Sequence, residues 1–420
     1  MKIRVLFGYA KIGPQAHVMA VTLRPSHPNL LSPTDKARLR GAIMKNNFDE
    51  NKTPVVAIWE TTQACDVPRL DYGDLVQSEA DPLELNTLEA QQLIDEMAEL
   101  CPPIFILTGA DPLKRKDIYE LVQYASKQGL HPFLELPATP LLTPAAIAEL
   151  KHARLSRLVL NLDAASPELH DLVCGIHGSF DRTMEAIQWA DHWKLPYQIT
   201  THFCERNLHE LENLAALLQT LRIKQWNVAF PVPTTPEELE ETPSPGEFES
   251  AFARIYTLAQ KVSFKIKTSE APHYRRYVLQ QQARERNGLD PNGHQAPDGI
   301  PGIMPFNESR GTLFISHTGD VYPCAGLHVA AGNVRVASVA EIYRSSQVFT
   351  LLRDPVNLTG KCGECAFKGV CGGSRARAYA MYGDMFTQDP ACIYRPTEQA
   401  AVRNSVPLTL PSEKVAIEEP

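Results

Sequence analysis

Apolar residues recur with two different periods through the middle of this 420-residue chain. Short runs rich in β-branched, leucine and aromatic residues read as strands: Val55–Trp59, Ile104–Leu107, Phe133–Leu136, Leu158–Leu162, Tyr197–Thr201 and Trp226–Phe230. Between them apolar positions recur at helical spacing. Ala90, Leu93, Ile94, Met97 and Ala98 share one face, with Thr87 as the expected N-cap. Ile118, Leu121, Val122 and Ala125 mark a second helix, stopped by Gly129. Thr143-Pro144 opens a third by a cap followed by proline. Phe180, Met184 and Ile187 mark a fourth, and Leu208, Leu211, Leu214, Ala215, Leu218 and Leu221 a fifth. Strands alternating with helices in this way predict an α/β fold with a parallel sheet covered by helices. Six such units make a partial (β/α)6 TIM-like barrel, whose site lies at the C-terminal ends of its strands.

Beyond the barrel the pattern changes. Pro231–Pro245 is rich in Pro, Thr and Glu and reads as a loop, followed by a helix carrying Phe248, Ala251, Phe252, Ile255 and Leu258. Residues 281–310 are polar, with Gly and Pro, and read as a long loop. Two β-like runs then flank Thr318-Gly319-Asp320, a hairpin signal that opens a small cysteine-bearing domain. The expected divisions are 1–46 as an N-terminal extension, 47–235 as the barrel, 236–310 as a connecting helix and loop, 311–396 as the cysteine-rich domain and 397–420 as a tail.

Charge narrows the partners. A formal net charge of −8, without a long basic block, argues against nucleic acid or an anionic membrane. No run of about 18 apolar residues is present, and the first residues lack a convincing signal-peptide pattern, so the expectation is a cytoplasmic protein. In that compartment the 9 cysteines read as metal ligands before disulfides. The strongest signal is Cys362, Cys365, Cys371 and Cys392, spaced C-x2-C-x5-C-x20-C. A C-x2-C pair grips one centre from a tight turn, and two further thiolates close the cage. Spacing alone leaves two candidates, a [4Fe–4S] cubane with one thiolate per iron and a tetrahedral zinc ion. Gly372-Gly373 beside it lets backbone N–H groups approach sulfur, or simply makes a turn.

This C-terminal segment, with Gly383-Asp384 and Asp389-Pro390-Ala391-Cys392, resembles a SPASM domain, the auxiliary-cluster module of radical S-adenosylmethionine (SAM) proteins. The resemblance favours [4Fe–4S] over zinc and makes the whole a partial barrel followed by a SPASM/twitch-like domain. It implies one auxiliary cluster, because Ser374 and Arg375 stand where a further cysteine is usual. Cys324 sits where such modules carry a ligand of the other auxiliary cluster; a small buried hydrophobe is the alternative reading.

The N-terminal part resembles the radical SAM barrel, and Ile58-Trp59-Glu60-Thr61-Thr62, Asp81-Pro82-Leu83-Glu84-Leu85 and Glu270-Ala271-Pro272-His273-Tyr274-Arg275-Arg276 resemble most the heme d1 and alternative heme biosynthesis subgroup. In that subgroup a SAM-derived radical modifies tetrapyrrole side chains. The family loop C-x3-C-x2-C holds three irons of a cubane and leaves the fourth to chelate SAM. Here it reads Cys65, Arg69 and Tyr72, so Cys65 is vestigial. Arginine cannot deprotonate to ligate iron, and tyrosine is a poor cubane ligand. Gly109-Ala110-Asp111 replaces the family's Gly-Gly-Glu. Asn161 and Asp163 match positions that face SAM, and Thr200, Thr201 and His202 match more loosely. The resemblance further offers His273 as a haem ligand and the adjacent arginines as partners of tetrapyrrole carboxylates; an exposed helix-surface histidine is the alternative.

The function implied is a radical SAM/SPASM-like protein without the SAM cluster: a pseudoenzyme acting with an active radical SAM paralogue or redox partner, in tetrapyrrole metabolism. An electron-transfer iron–sulfur protein, an enzyme with SAM-independent chemistry in the barrel cavity, and a binding protein for a tetrapyrrole or peptide remain open.

Overall fold

The computed structural model describes residues 49–67, 77–287 and 310–396. Arg69, Asp71 and Tyr72 lie outside the described residues, as do 1–48, 288–309 and the tail.

Seven parallel strands follow one another across the sheet in chain order: β1 (Val56–Glu60), β2 (Ile104–Thr108), β3 (Pro132–Leu136), β4 (Arg157–Asn161), β5 (Tyr197–His202), β6 (Gln225–Ala229) and β7 (Lys265–Ser269). Each expected strand is present to within a residue or two. β7 is the strand that periodicity missed. Its Lys-Ile-Lys alternation belongs to a sheet edge where only one face is covered, so it carries no continuous apolar run.

On the other side of β1 the sheet continues into the C-terminal region. β8 (Thr312–Ile315) pairs with β1 in parallel, with Val56 opposite Thr312 and Trp59 opposite Ile315. The expected hairpin then joins β8 to β9 (Asp320–Tyr322), and β10 (Gly332–Asn333) closes the order β10-β9-β8-β1-β2-β3-β4-β5-β6-β7. The turn holds Gly319 at φ +89°, which glycine reaches without steric cost. The cysteine-bearing region is thus hydrogen-bonded to the first barrel strand along a shared sheet.

Helices cover the sheet through the apolar faces read from the sequence. Leu93, Ile94, Met97, Ile118, Leu121, Val122, Leu214 and Leu218 are fully buried against strand residues such as Trp59, Phe105 and Leu134. Each such side chain contributes about 1.5–3 kcal/mol. The first helix, Thr87–Leu100, is capped by Asn86 rather than Thr87: Asn86 and Glu89 form a reciprocal capping box, while the Thr87 hydroxyl donates to Asp117 at 2.7 Å. A helix at Pro167–Cys174 was not expected from periodicity, although Ser166-Pro167 is a start signal. The helix that begins at His273 runs on to Asn287, through residues expected to be loop.

Candidate iron–sulfur recess and barrel cavity

The four predicted thiols line one recess. Cys362 lies on the short helix Gly360–Gly363, and Cys365 and Cys371 flank a turn in which Cys371 N–H donates to the Phe367 carbonyl at 2.8 Å. Cys392 closes the recess, with Arg276, Lys361, Lys368 and Tyr394 around the rim. The empty volume is about 350 Å³. Among the described residues no three His, Cys, Asp or Glu side chains converge as a single bound ion requires. The four cysteines line one shared recess, and a cubane takes one thiolate on each iron.

Donors already point at these sulfurs. Phe367 N–H donates to Cys365 Sγ at 3.4 Å, Gly373 N–H to Cys371 Sγ at 3.4 Å, and Asp389 N–H to Cys362 Sγ at 3.3 Å. The Arg375 guanidinium reaches Cys362 Sγ at 3.7 Å. Gly373 is required here: its φ is +68°, and a Cβ would lie 2.6 Å from Arg375 Nη2 and 3.1 Å from Cys362 Sγ. Burial pushes the Cys365 thiol up to about 11, and lifts Cys371 and Cys392 in the same direction. Cys365, Cys371 and Cys392 therefore favour the protonated thiol in the metal-free protein, and binding metal as thiolates releases protons. The donor set fits an iron–sulfur cluster: four thiols around one space, N–H groups aimed at sulfur, and cationic side chains to offset a net negative body.

Behind the recess lies a charged layer that sequence reasoning missed. Arg375 and Arg377 are each 2% exposed, and Asp389 is fully buried. Arg375 donates to the carbonyls of Met385 (2.9 Å), Thr387 (2.5 Å) and Gly373 (3.3 Å). Arg377, two residues along the helix Arg375–Tyr382, donates to the carbonyls of Phe230 and Glu270 just past β6 and β7. Asp389 accepts from Ser374 N–H at 2.8 Å and sits 3.6 Å from Arg377 Nη1. Ser374, at the place of the absent cysteine, caps this helix by accepting from Arg377 N–H. The sequence signal was present in Ser374-Arg375-Ala376-Arg377, but arginines normally read as solvated surface.

His273 is not an exposed helix residue. It is buried beside Phe248 and Phe252, with ring centroids 5.2 and 4.7 Å away, and lies 3.6 Å from Asp389. Burial drives its pKa down to about 3, against the opposing pull of Asp389. Arg276 pairs with Glu249 at 2.5 Å while its guanidinium covers the Tyr394 ring at the recess rim. Cys324 packs with Val232, Leu327, Leu352 and Ala376 and is not among the residues lining the recess.

At the barrel's strand ends, Gly109-Ala110-Asp111 lies against the backbone that leads into Cys65. Ala110 N–H donates to Thr62 O and Asp111 N–H to Ala64 O, both at 3.0 Å. Gly109 has φ +150°, and a Cβ would fall 2.4 Å from Thr62 O. The Asp111 carboxylate accepts from Leu113 N–H (3.0 Å) and from the Thr139 hydroxyl (2.7 Å), tying the ends of β2 and β3 together. Cys65 is 3% exposed, and its N–H donates to Gln77 O at 2.8 Å.

Asn161 and Asp163 come together with His202 in a second cavity of about 450 Å³, shared with His170, Cys174 and Ser179. Gly109 and Asp111 do not line it. Asp163 accepts from His202 N–H at 2.8 Å, and its own N–H donates to His170 Nδ1 at 2.9 Å. Burial raises the Asp163 carboxyl, but His202 and His170 outweigh it and hold the group below the usual range. Thr201 belongs to the core instead: its hydroxyl donates to Leu162 O at 2.6 Å and accepts from Trp226 Nε1 at 2.9 Å.

A parallel partial barrel whose first strand carries a cysteine-lined C-terminal module defines a class of iron–sulfur protein, and comparison with known proteins gives the same answer. Residues 65–218 match the Radical SAM superfamily and residues 307–366 the SPASM iron–sulfur cluster-binding domain. The AdoMet-dependent heme synthase of Methanosarcina barkeri is 36% identical over 343 residues, covering 82% of this chain and 97% of that protein. The AdoMet-dependent heme synthase of Nitratidesulfovibrio vulgaris is 32% identical, covering 84% and 96%. Among solved structures, Streptococcus suis SuiB aligns with a TM-score of 0.63 over 88% of this chain and 85% of that one, at 14% identity, a likeness of fold. The chain belongs to the radical SAM superfamily, in its SPASM-bearing branch. Among the described residues no helix is long and apolar enough to cross a membrane.

Proposed function

We propose that this protein has given up radical generation and keeps one [4Fe–4S] cluster in the recess of Cys362, Cys365, Cys371 and Cys392. The observation that carries the reading is a contrast in ligand count. The C-terminal quartet is whole, whereas the SAM-cluster loop presents one thiol, Cys65, with Arg69 and Tyr72 at the other two ligand positions. One thiolate does not hold a cubane, and arginine repels the iron it would need to bind. Without that cluster no electron reaches the sulfonium of SAM.

The protein then acts in heme-type tetrapyrrole metabolism, as a partner or regulator of an active radical SAM enzyme. The names of its relatives in Methanosarcina and Nitratidesulfovibrio support this placement. Those relatives are named as enzymes, so the decisive experiment is catalytic. Anaerobically reconstituted protein is incubated with SAM and dithionite, and 5′-deoxyadenosine is measured. The proposal requires none above the protein-free control; turnover would overturn it.

The second cavity supports a further version of this reading. Asn161, Asp163 and His202 offer one amide, one buried carboxylate and one imidazole along a partly open cavity, which suits a polar small molecule bound without reductive cleavage. Calorimetric binding of SAM without 5′-deoxyadenosine would favour this version.

A further inference from the structure

We infer that Arg375 is a positioning residue that sets the reduction potential of the cluster in the quartet. The inference rests on the cluster assignment proposed above. Several sulfurs in the recess receive a backbone N–H, and on Cys362 a charged donor joins it: Asp389 N–H at 3.3 Å and the Arg375 guanidinium at 3.7 Å meet on the same atom. Arg375 is 2% exposed, so its charge is poorly screened by water. Adding an electron to a cluster makes it more negative. A buried cation hydrogen-bonded to one of its thiolates stabilises that reduced state and raises the potential.

The geometry keeps this guanidinium from relaxing away. Its other nitrogens donate to the carbonyls of Gly373, Met385 and Thr387, which fixes the plane of the group. The left-handed Gly373 leaves room for it, since a Cβ at that position would stand 2.6 Å from Arg375 Nη2. Lysine retains the charge as a point cation but loses the planar fork. Glutamine removes the charge altogether.

A purely structural Arg375, holding the three carbonyls, would affect folding and iron content but not the electronics of an assembled cluster. The test therefore reads potential and vibrational frequency. Wild-type, Arg375→Lys and Arg375→Gln proteins are reconstituted anaerobically, assayed for iron, and titrated reductively with EPR detection. The potential of Arg375→Gln is expected to fall by an amount equivalent to at least a tenfold shift in the reduction equilibrium, about 59 mV for a one-electron couple. Arg375→Lys is expected between the two. Resonance Raman should show the terminal Fe–S(Cys) stretch moving in Arg375→Gln. An unchanged potential in an iron-replete Arg375→Gln protein would overturn the inference and leave the cluster assignment intact. Loss of iron from both variants would also overturn it, by making Arg375 an assembly residue. Wild-type protein that binds no iron would overturn the cluster assignment itself, and this inference with it.

Discussion

Two regions of this molecule match cysteine-bearing modules of one superfamily and differ in how many cysteines they carry. At the mouth of the barrel Gly109 at φ +150° lies against Thr62, and Ala110 and Asp111 donate backbone N–H groups to the segment leading to Cys65. The loop itself carries one cysteine, with Arg69 and Tyr72 at the other two positions of the family's C-x3-C-x2-C pattern. The C-terminal recess is lined by four cysteines, with N–H donors on three of their sulfurs and a buried arginine behind them. Under the function proposed above, scaffold geometry alone does not reveal whether a metal site works. The ligands reveal it, because packing is preserved by many substitutions and coordination by very few.

The largest expected effect is on the recess. The double variant Cys362→Ala, Cys371→Ala should remove essentially all iron from the protein, because two irons of the cubane lose their only protein ligand; iron assay and loss of the visible charge-transfer absorption check this. Retained iron would place the metal elsewhere and break the contrast. The next effect is a gain. The double variant Arg69→Cys, Tyr72→Cys restores the C-x3-C-x2-C pattern, and after reconstitution should raise the iron content from about four toward about eight per chain, by one further cubane. A variant that stays at four would show that the barrel scaffold has degenerated beyond its ligands.

A smaller effect concerns the joint between the two regions. The buried His273 has a folded-state pKa of about 3 against 6.5 for the free side chain. The unfolded chain therefore binds the extra proton between these values, and stability falls as pH drops from about 6.5 toward 3. His273→Gln should flatten that part of the stability–pH curve, by on the order of a few kcal/mol at its acid end, as read by denaturant unfolding at stepped pH. An unchanged slope would contradict the burial described here. The smallest effect is expected at the loop. Cys65→Ala should leave iron content unchanged and cost about 1 kcal/mol of stability, from one small buried side chain. Loss of iron in this variant would reverse the roles of the two regions.

Much of the fold was legible because period and burial coincide. The first six barrel strands and their helices declared themselves through residues such as Trp59, Leu107 and Leu218, which the core buries completely. β7 did not, since Lys265 and Lys267 mask an edge strand. The quartet was legible from spacing, which reflects direct chemistry. The layer behind it was not. Arg375, Arg377, Asp389 and His273 are charged or polar residues that look like surface, and only their convergence from three separate segments shows that they are buried. His170 and Cys174 are hidden from periodicity for a related reason: their helix has a short apolar face, and only Ser166-Pro167 marks its start.

The most direct test of the contrast counts clusters and types them together. Protein purified and reconstituted without oxygen is assayed for iron and acid-labile sulfide, then reduced and examined by EPR with and without SAM. One cubane predicts about four irons per chain, following one iron per thiolate of the quartet, and a reduced signal that SAM does not alter. About eight irons, or a signal perturbed by SAM, would contradict the account.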